Sequence, residues 1–377
     1  MNALEQQLHY PLGDALPAPG HALELAPGLR WLRMGLPFAL DHINLWLLRD
    51  RLDGPDGPRE GWAIVDCGVA DAPTRAAWEQ VFASALDGLP VLRVIVTHMH
   101  PDHIGNAQWL CERWGCGLWI SQTDWNAARI ATVSTTGFGG EAAAAHFARH
   151  GLTDPQAVAK VRQRANYYAS MVPAVPSSHH RLLDGRPLRI GAQDWRCIAG
   201  YGHAPEHIAL YRPEIEGAPM APAGDAVPGA EAARPPSGVL IAGDMVLPRI
   251  STNVSVIDLE PEADPLTLYL ESIERLRALP ADTLVLPSHG RPFTGLHTRI
   301  GQLQAHHAAR FETVLAACRA RETSAAELLP LLFRRTLDLH QTTFAMGEAI
   351  AHLHALWFAG RLQRREGADG VLRFVAA

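Results

Sequence analysis

Lysine is almost absent from this sequence, since only Lys160 stands among its 33 basic residues. We attribute this bias to the base composition of the genome rather than to function. Basic residues of either kind are also outnumbered, because 39 acidic side chains leave a formal net charge of −6. A chain that binds a polyanion usually carries a basic surface. The charge balance therefore argues against a protein whose main task is to hold nucleic acid.

Cysteine is also scarce, and no two cysteines form a C-x-x-C pair. The five that are present suit reduced, mostly buried thiols in the cytoplasm better than a disulfide framework. The first twenty residues show neither a basic start nor an apolar core, so no signal peptide is expected. No run approaches the ~18 apolar residues that a membrane span needs. We expect a cytoplasmic protein that does not associate with membranes.

The densest group of chemically active side chains lies in residues 94–106, which read V-I-V-T-H-M-H-P-D-H-I-G-N. The apolar, β-branched residues 92–96 predict a buried strand, and a helical spacing resumes at residues 104–114. Three imidazoles and a carboxylate therefore share a short loop at the carboxyl end of a strand. Both groups are ligands of Zn²⁺ and related divalent ions. The loop is predicted to bind metal, and a polar loop that is merely rich in histidine is the plainer alternative.

The segment T-H-x-H-x-D-H resembles the signature of the metallo-β-lactamase superfamily of metal-dependent hydrolases. This resemblance implies an α/β fold, an αββα sandwich with the metals at one edge of its two sheets. It also implies three further ligands, each in a loop at a strand end. The sequence supplies them in order as His203 in G-H-A-P-E-H, Asp244 after residues 239–243, and His289 after residues 284–287. The resemblance spans roughly residues 25–295.

By the same resemblance, two metal ions share the site. The first ion would be held by His98, His100 and His203, and the second by Asp102, His103 and His289. Asp244 would bridge the two ions, because a carboxylate can offer one oxygen to each. Zn²⁺ is the expected metal, and Fe or Mn are alternatives that accept the same ligands.

The implied chemistry is hydrolysis by a hydroxide that bridges the metals, since paired cations lower the pKa of a shared water from ~15.7 toward neutrality. Asp102 would orient the attacking water and accept its proton. Asp66, at the end of the strand at residues 62–65, would steady the metal ligands; the alternative is an aspartate that only caps a turn. Diiron oxidoreductases of the superfamily have Glu at the position of His100, so the resemblance favours a hydrolase.

A small carboxylic ester or acyl-thioester is the favoured substrate, as in branches similar to glyoxalase II. That enzyme has G-H-T-x-G-H, whereas this chain has Pro205-Glu206 before His207, a departure that argues against glyoxalase II itself. A metal-dependent endoribonuclease or phosphodiesterase is the alternative, because relatives with the same C-terminal tail cleave RNA. A purely regulatory protein is disfavoured by the complete ligand set. A homodimer is left open.

Composition divides the 377 residues into three predicted parts. Residues 1–24 predict an extended N-terminal arm, residues 25–295 the hydrolase domain, and residues 296–377 a winged-helix-like domain of three helices and a hairpin. Within the hydrolase domain, residues 124–172 predict a helical insertion and residues 212–238 a disordered hairpin. From residue 302 onward the sequence contains nine arginines and seven acidic residues, a small surplus of positive charge. We therefore expect the tail to pack against the sandwich rather than to bind nucleic acid, for which fold analogy is a weak argument.

Other polar side chains are weaker candidates for the site. His42 either faces the pocket or is a hydrogen-bonded structural residue. The loop after Asp244 offers three candidates for substrate contact, namely Arg249, Ser251 and Asn253. The aromatic residues 166–171 either line the pocket or pack on the rim of the sandwich. His146 and His150 have the i, i+4 spacing of a two-histidine zinc arm, but no Glu follows His146, so a solvated helix face is favoured.

Overall fold

Apolar strands of alternating pattern form two β-sheets that pack face to face, with helices on both outer sides. The computed structural model describes residues 3–38, 40–55, 57–134, 139–164, 166–214, 236–333 and 337–377. The strands are β1 Leu23–Ala26, β2 Leu29–Gly35, β3 His42–Gly54, β4 Gly57–Val65, β5 Val91–Ile95, β6 Gly117–Ile120, β7 His180–Arg181, β8 Pro187–Ile190, β9 Gln193–Gly200, β10 His207–Arg212, β11 Val239–Gly243, β12 Leu284–Pro287, β13 Leu362–Glu366 and β14 Leu372–Ala376. The helices are α1 Ala72–Ser84, α2 Pro101–Ile104, α3 Ala107–Trp114, α4 Gln122–Ala131, α5 Gly140–Arg149, α6 Pro155–Gln163, α7 Tyr167–Met171, α8 Pro265–Arg275, α9 Leu296–Ala320, α10 Ala325–Leu332 and α11 Leu339–Phe358.

The order of the strands explains where polar loops collect. The first sheet runs β1-β2-β3-β4-β5-β6-β7 and the second β12-β11-β10-β9-β8. In the first sheet β4, β5 and β6 are parallel, and in the second β11 and β12 are parallel. Parallel strands end at the same edge of their sheet, so the loops after β4, β5, β11 and β12 carry their side chains to a common rim.

Three hydrophobic layers confirm the predicted αββα sandwich. Strand β3 alternates between two of them, because neighbouring side chains of a strand point to opposite faces. Leu45 and Leu47 face the helices α1 and α3, whereas Trp46 and Leu48 face the second sheet. The third layer lies between the second sheet and the helices α8, α9 and α11.

The C-terminal segment has the predicted order of three helices followed by a two-stranded hairpin. The apolar pattern of the sequence predicts that the first helix begins at Arg299 and the third at Phe344. In the structure they begin earlier, at Leu296 and Leu339. The third helix starts earlier because the Asp338 side chain caps it, accepting a hydrogen bond from the backbone N–H of Gln341. The domain does pack against the sandwich, as the sequence analysis favoured.

Other predicted segments differ in detail. Residues 51–61 are rich in Gly, Pro and Asp, a composition that predicts the turn of a hairpin. In the structure the strands β3 and β4 continue through much of this stretch. The N-terminal arm is packed rather than free, because Leu8 and Leu12 are buried. The insertion is helical over α4 to α7, as predicted. Most of the predicted disordered hairpin, residues 215–235, lies outside the described residues. Among the described residues, no helix has the length and apolarity to cross a bilayer.

The predicted solvated face of His146 and His150 is wrong. Only 9% of His146 and 2% of His150 is exposed, because α5 packs against α11, where His354 lies with its ring 5.9 Å from that of His150. Burial lowers the pKa of His146 to about 4 and that of His150 to about 2, from an ordinary value near 6.5. Both imidazoles are therefore neutral in the folded protein. The predicted packing of the C-terminal domain explains why these polar residues are buried.

These two histidines predict a loss of stability at acid pH. Below pH 6.5 the two imidazoles become protonated in the unfolded chain but stay neutral in the folded protein. The free energy of unfolding is therefore unaffected by them above pH 6.5, and between pH 6.5 and pH 4 it falls by about 1.4 kcal/mol per pH unit for each residue. The melting temperature of His150→Gln should fall less between pH 7 and pH 5 than that of the wild type. Thermal denaturation followed by circular dichroism measures this difference.

The exposed His21 provides the matched control. His21→Gln should follow the wild-type pH dependence, including any part that comes from loss of metal. If His150→Gln and His21→Gln have the same pH dependence, the buried histidines do not account for acid sensitivity.

Candidate metal centre

The loop between β5 and α2 carries four of the predicted ligands. It leaves the buried β5, and His100 is the residue before the first turn of α2, which Pro101 begins. A proline fits there because the first residue of a helix has no intrahelical partner for its N–H. The turn directs Asp102 and His103 to the rim where the two sheets meet. His98 and His103 are fully buried, and His100 and Asp102 are partly exposed.

Three imidazole nitrogens meet at the first cluster of ligands. His98 Nε2 lies 3.0 Å from His100 Nδ1, His100 Nδ1 lies 3.1 Å from His203 Nε2, and His203 Nε2 lies 3.2 Å from His98 Nε2. These separations are close to the roughly 3.3 Å between ligands of a tetrahedral ion with bonds of about 2.0 Å. Burial, reinforced by His203, lowers the pKa of His100 to about 3, so its imidazole is in the neutral form that binds metal.

Hydrogen bonds on the far side of two rings fix which nitrogen carries the proton. His203 Nδ1 donates to the backbone carbonyl of Asn253 at 2.7 Å. His98 Nδ1 lies 3.0 Å from Thr97 Oγ1, whose own hydroxyl is 2.9 Å from Asp66 Oδ2 and donates to it. The Nε2 atoms of both histidines then present lone pairs to the same point. Lone pairs that converge without a proton between them require a cation.

A second cluster adjoins the first. Asp102 Oδ2 lies 3.5 Å from His103 Nε2 and 3.4 Å from His289 Nε2. Asp244 stands between the clusters, with Oδ1 3.5 Å from His103 Nε2 and 3.4 Å from His289 Nε2, and Oδ2 3.3 Å from His203 Nε2. One carboxylate oxygen thus faces each cluster, as a bridging ligand requires.

The residues present fit a pair of divalent ions. Three ligand triads have donor atoms within 4.8 Å of one another: His98–His100–His203, His98–His103–Asp244 and Asp102–His103–His289. His103 Nε2 and Asp244 Oδ1 are buried and have no hydrogen-bond partner. Buried polar atoms without partners are costly, and a bound cation would satisfy both. The structure brings all seven predicted ligands together.

Asp66 supports the ligands from below. It follows β4 with a left-handed backbone (φ 62°), a conformation that costs energy for a residue with a Cβ. Its Oδ2 accepts from His103 Nδ1 at 2.8 Å, and its Oδ1 accepts from the backbone N–H of Thr97 at 2.8 Å. Asp66 is fully buried and does not line the cavity. These contacts suit an orienting residue rather than a mere turn cap or a group that touches substrate.

His42 and Asn44 hold the loop of the last ligand. His289 Nδ1 donates to the backbone carbonyl of His42 at 2.7 Å, and His42 Nε2 accepts from the backbone N–H of Gly290 at 2.8 Å. Asn44 Nδ2 donates to the carbonyls of Pro287 and Gly290. His42 is absent from the cavity wall. Of its two predicted roles, the structure places it in the hydrogen-bonded one.

Asp124 is a supporting residue that the sequence analysis missed. Its Oδ1 accepts from the backbone N–H of Met99 at 2.8 Å, and its Oδ2 accepts from that of Glu206 at 2.6 Å. One buried carboxylate therefore ties the His98–His103 loop to the His203 loop. In the sequence Asp124 is an ordinary acidic residue in the first turn of a helix capped by Ser121. Nothing in that pattern distinguishes it.

His207 was also not predicted as part of the site. It is fully buried, and its Nε2 accepts from the backbone N–H of Asp244 at 3.2 Å. Gly243 has a positive φ of 51°, and a Cβ there would come within 2.1 Å of His207 Nε2. Glycine is required at this position because the imidazole approaches the backbone so closely. Its place as the second His of the G-H-x-x-x-H motif is the sequence feature that could have indicated its role.

A cavity of about 890 Å³ opens over the two clusters. Of the predicted substrate contacts, Ser251 and Asn253 line it, whereas Arg249 does not. The aromatic end of the insertion contributes Tyr167 and Met171 to the wall. Tyr168, between them, is buried in the core and donates a hydrogen bond from its hydroxyl to the carbonyl of Met99. Different residues of this segment therefore take the two predicted roles, lining the pocket and packing against the sandwich.

An αββα sandwich with His/Asp clusters at the shared edge of its sheets is the architecture of a metallo-hydrolase. The model of the metallo-beta-lactamase superfamily matches residues 38–289, and that of the metallo-beta-lactamase-like C-terminal domain matches residues 311–377. The chain belongs to the metallo-β-lactamase superfamily.

Several relatives match over nearly the whole chain. The crystal structure of a beta-lactamase domain protein from Burkholderia ambifaria is 54% identical, with a TM-score of 0.88 and complete coverage of both chains. A metallo-beta-lactamase family protein from Thermus thermophilus is 29% identical, with a TM-score of 0.70, over 94% of this chain and 100% of that one. The probable metallo-hydrolase YqjP of Bacillus subtilis is 22% identical over 86% of this chain and 91% of its own.

The contacts of Asp124 predict a loss of metal affinity when it is removed. Asp124→Ala leaves two backbone N–H groups of ligand loops without their acceptor, and loss of such supporting contacts typically weakens metal binding about 10–100-fold. Metal retained after dialysis against a competing chelator, measured by elemental analysis, should fall accordingly. Asp154 is an exposed aspartate that accepts a hydrogen bond from the backbone N–H of Ala157 as the cap of α6, and it is not part of a ligand loop. Asp154→Ala should retain metal like the wild type, and equal retention by both variants would refute the supporting role of Asp124.

Proposed function

We propose that this metallo-hydrolase cleaves a carboxylic ester or an acyl-thioester, with Zn²⁺ as its metal. The observation that carries the proposal is the complete ligand set at the floor of a largely apolar cavity. His100 supports hydrolysis over redox chemistry, since it stands where related oxidoreductases have a carboxylate. An apolar wall suits the acyl group of an ester better than it suits a charged phosphodiester.

When bound, two divalent ions at this centre would lower the pKa of a shared water and polarise the scissile carbonyl. The chain's own residues orient the reactants around that chemistry. Asp102 lines the cavity, and although burial alone would raise the pKa of its carboxyl, the neighbouring His103 and His289 lower that pKa below its ordinary value. Its carboxylate is thus ionised and can accept a hydrogen bond from the attacking water.

Tyr167 lies across the same cavity. Burial raises the pKa of its hydroxyl to about 12, so the group stays protonated at neutral pH. A neutral hydroxyl can donate a hydrogen bond to an oxygen of the substrate. We assign it to positioning rather than to proton transfer.

RNA cleavage, the alternative from the sequence, has less support. Binding of a nucleic-acid backbone rests on several arginine or lysine contacts to phosphates. Arg164 is the one lysine or arginine in the described wall of the cavity, and Asp338 lies nearby. Among the residues that the structure describes, the cavity wall therefore presents no cationic track for a phosphate chain.

Asp102→Ala should abolish turnover and remove at least one metal while the fold survives, because the residue lies on a loop over a separately packed core. Metal-replete protein should release thiol from acyl-thioesters and leave single-stranded RNA intact. Thiol release followed with a chromogenic reagent, beside gel analysis of RNA, measures both. Asp154→Ala serves as the surface control. RNA cleavage without thiol release, or full turnover by Asp102→Ala, would contradict the proposal.

The metal itself gives a separate prediction. Removal of metal by a chelator should abolish esterase activity, and Zn²⁺ should restore it at two equivalents per chain, because His nitrogens and Asp oxygens form a good Zn²⁺ site. Activity titrated against added Zn²⁺, Fe²⁺ or Mn²⁺ measures the preference. Full recovery with Fe²⁺ or Mn²⁺ and little with Zn²⁺ would reassign the metal without changing the ligands.

A further inference from the structure

We propose that the cavity above the metal centre binds a long, apolar acyl group, and that the C-terminal helix α11 forms the wall that selects it. This inference rests on the proposed ester or thioester hydrolysis and specifies its substrate class. The sequence resemblance favours a small ester or thioester. The size and the lining of the cavity favour a larger acyl group.

The volume of the cavity exceeds what a short acyl group needs. Pockets for drug-sized ligands measure about 300–1,000 Å³, and this cavity of about 890 Å³ is near the upper end of that range. Its floor contains His100, Asp102 and Asp244 of the metal centre. An acetyl group at the metals would leave most of the cavity filled with water. A chain of many carbons, or an aromatic acyl group, would fill it.

The lining of the cavity is chiefly apolar and comes from three parts of the chain. The loop after β2 contributes Leu36, helix α7 contributes Met171, and the C-terminal domain contributes Phe333, Leu337 and Phe344. Phe344 remains 38% exposed, and Ile250, also in the wall, remains 41% exposed. Large apolar side chains that are exposed next to one another often mark a binding surface. An apolar ligand would remove this surface from water.

Direct contacts join two of these parts, the helical insertion and the C-terminal domain. Arg164, which follows α6, donates from Nη1 to Thr343 Oγ1 of α11 at 3.1 Å. Its guanidinium also lies 4.0 Å from the centre of the Tyr167 ring. Asp338, the cap of α11, favours the charged form of Arg164. In the described part of the wall, the positive charge of Arg164 therefore has a carboxylate close by.

Burial of an acyl chain against this wall predicts a dependence of rate on chain length. Each methylene transferred from water to an apolar site favours binding by about 0.8 kcal/mol, which is about fourfold in kcat/KM at most. The value of kcat/KM should therefore rise as the acyl chain is lengthened by several carbons and then level off when the cavity is full. A site selected by its metals alone would show no such rise.

The test is a series of straight-chain acyl thioesters from acetyl to decanoyl with one thiol leaving group, hydrolysed by metal-replete protein. We expect kcat/KM to rise with each two-carbon step. Phe344→Ala should lower the ratio of kcat/KM for decanoyl over acetyl about tenfold, the equivalent of losing part of one buried aromatic contact. Phe358→Ala is the matched control, because Phe358 lies on the same helix, is 52% exposed and does not line the cavity.

A second variant, in α7, controls for the possibility that Phe344→Ala loosens α11. Met171→Ala should lower the same ratio without touching α11. A flat chain-length profile, or equal ratios in Phe344→Ala, Met171→Ala and Phe358→Ala, overturns the inference while ester hydrolysis stands. If no ester or thioester is hydrolysed, the proposed function fails instead. Calorimetric titration with decanoate and acetate then tests whether the cavity binds an apolar chain. Binding of decanoate that Phe344→Ala weakens supports the apolar site, and absence of decanoate binding overturns it.

Discussion

Two backbone hydrogen bonds join the β-sheets at the rim that carries the metal centre. The N–H of Ile208 donates to the carbonyl of Thr97 at 2.8 Å, and the N–H of Asn44 donates to the carbonyl of Ser288 at 2.7 Å. Each joins one sheet to the other beside a ligand, His98 in the first case and His289 in the second. The ligands come from both sheets, so their separation depends on how the sheets meet. Together with the contacts of Asp124 and Asn44, these links set the distance between the ligands of the two sheets.

Bound cations would satisfy the inner nitrogen and oxygen atoms of this rim. Buried imidazole lone pairs and two carboxylates face one another, and the supporting hydrogen bonds keep the ring protons on the outer nitrogens. The fold therefore holds ligands in the geometry that a metal prefers before the metal arrives. Strain at the left-handed Asp66 is part of the same arrangement, since that backbone turns its carboxylate under His103.

The ligands could be predicted from the sequence because each belongs to a local pattern, an apolar strand followed by His or Asp. The supporting residues could not be predicted as readily, because their partners are distant in the chain. Asp124 looks like any acidic residue in a first helical turn, yet it binds a loop 82 residues away. His146 and His150 have the spacing of a surface pair and are buried only because α11 covers them. Helix and strand periodicity describes one element, whereas burial depends on its neighbours.

The C-terminal domain resembles a binding module in outline, but its contacts show a structural part of the hydrolase. Its core is continuous with the outer face of the second sheet, where Leu240 and Val285 pack with Ile350 and Leu353. Its helix α11 reaches the cavity through Phe344 and Ala345. A separate binding domain would have little reason to share a core and a pocket wall with the sandwich. The same helix thus stabilises the fold and shapes the space above the metals, so changes in α11 can alter substrate preference without altering a single ligand.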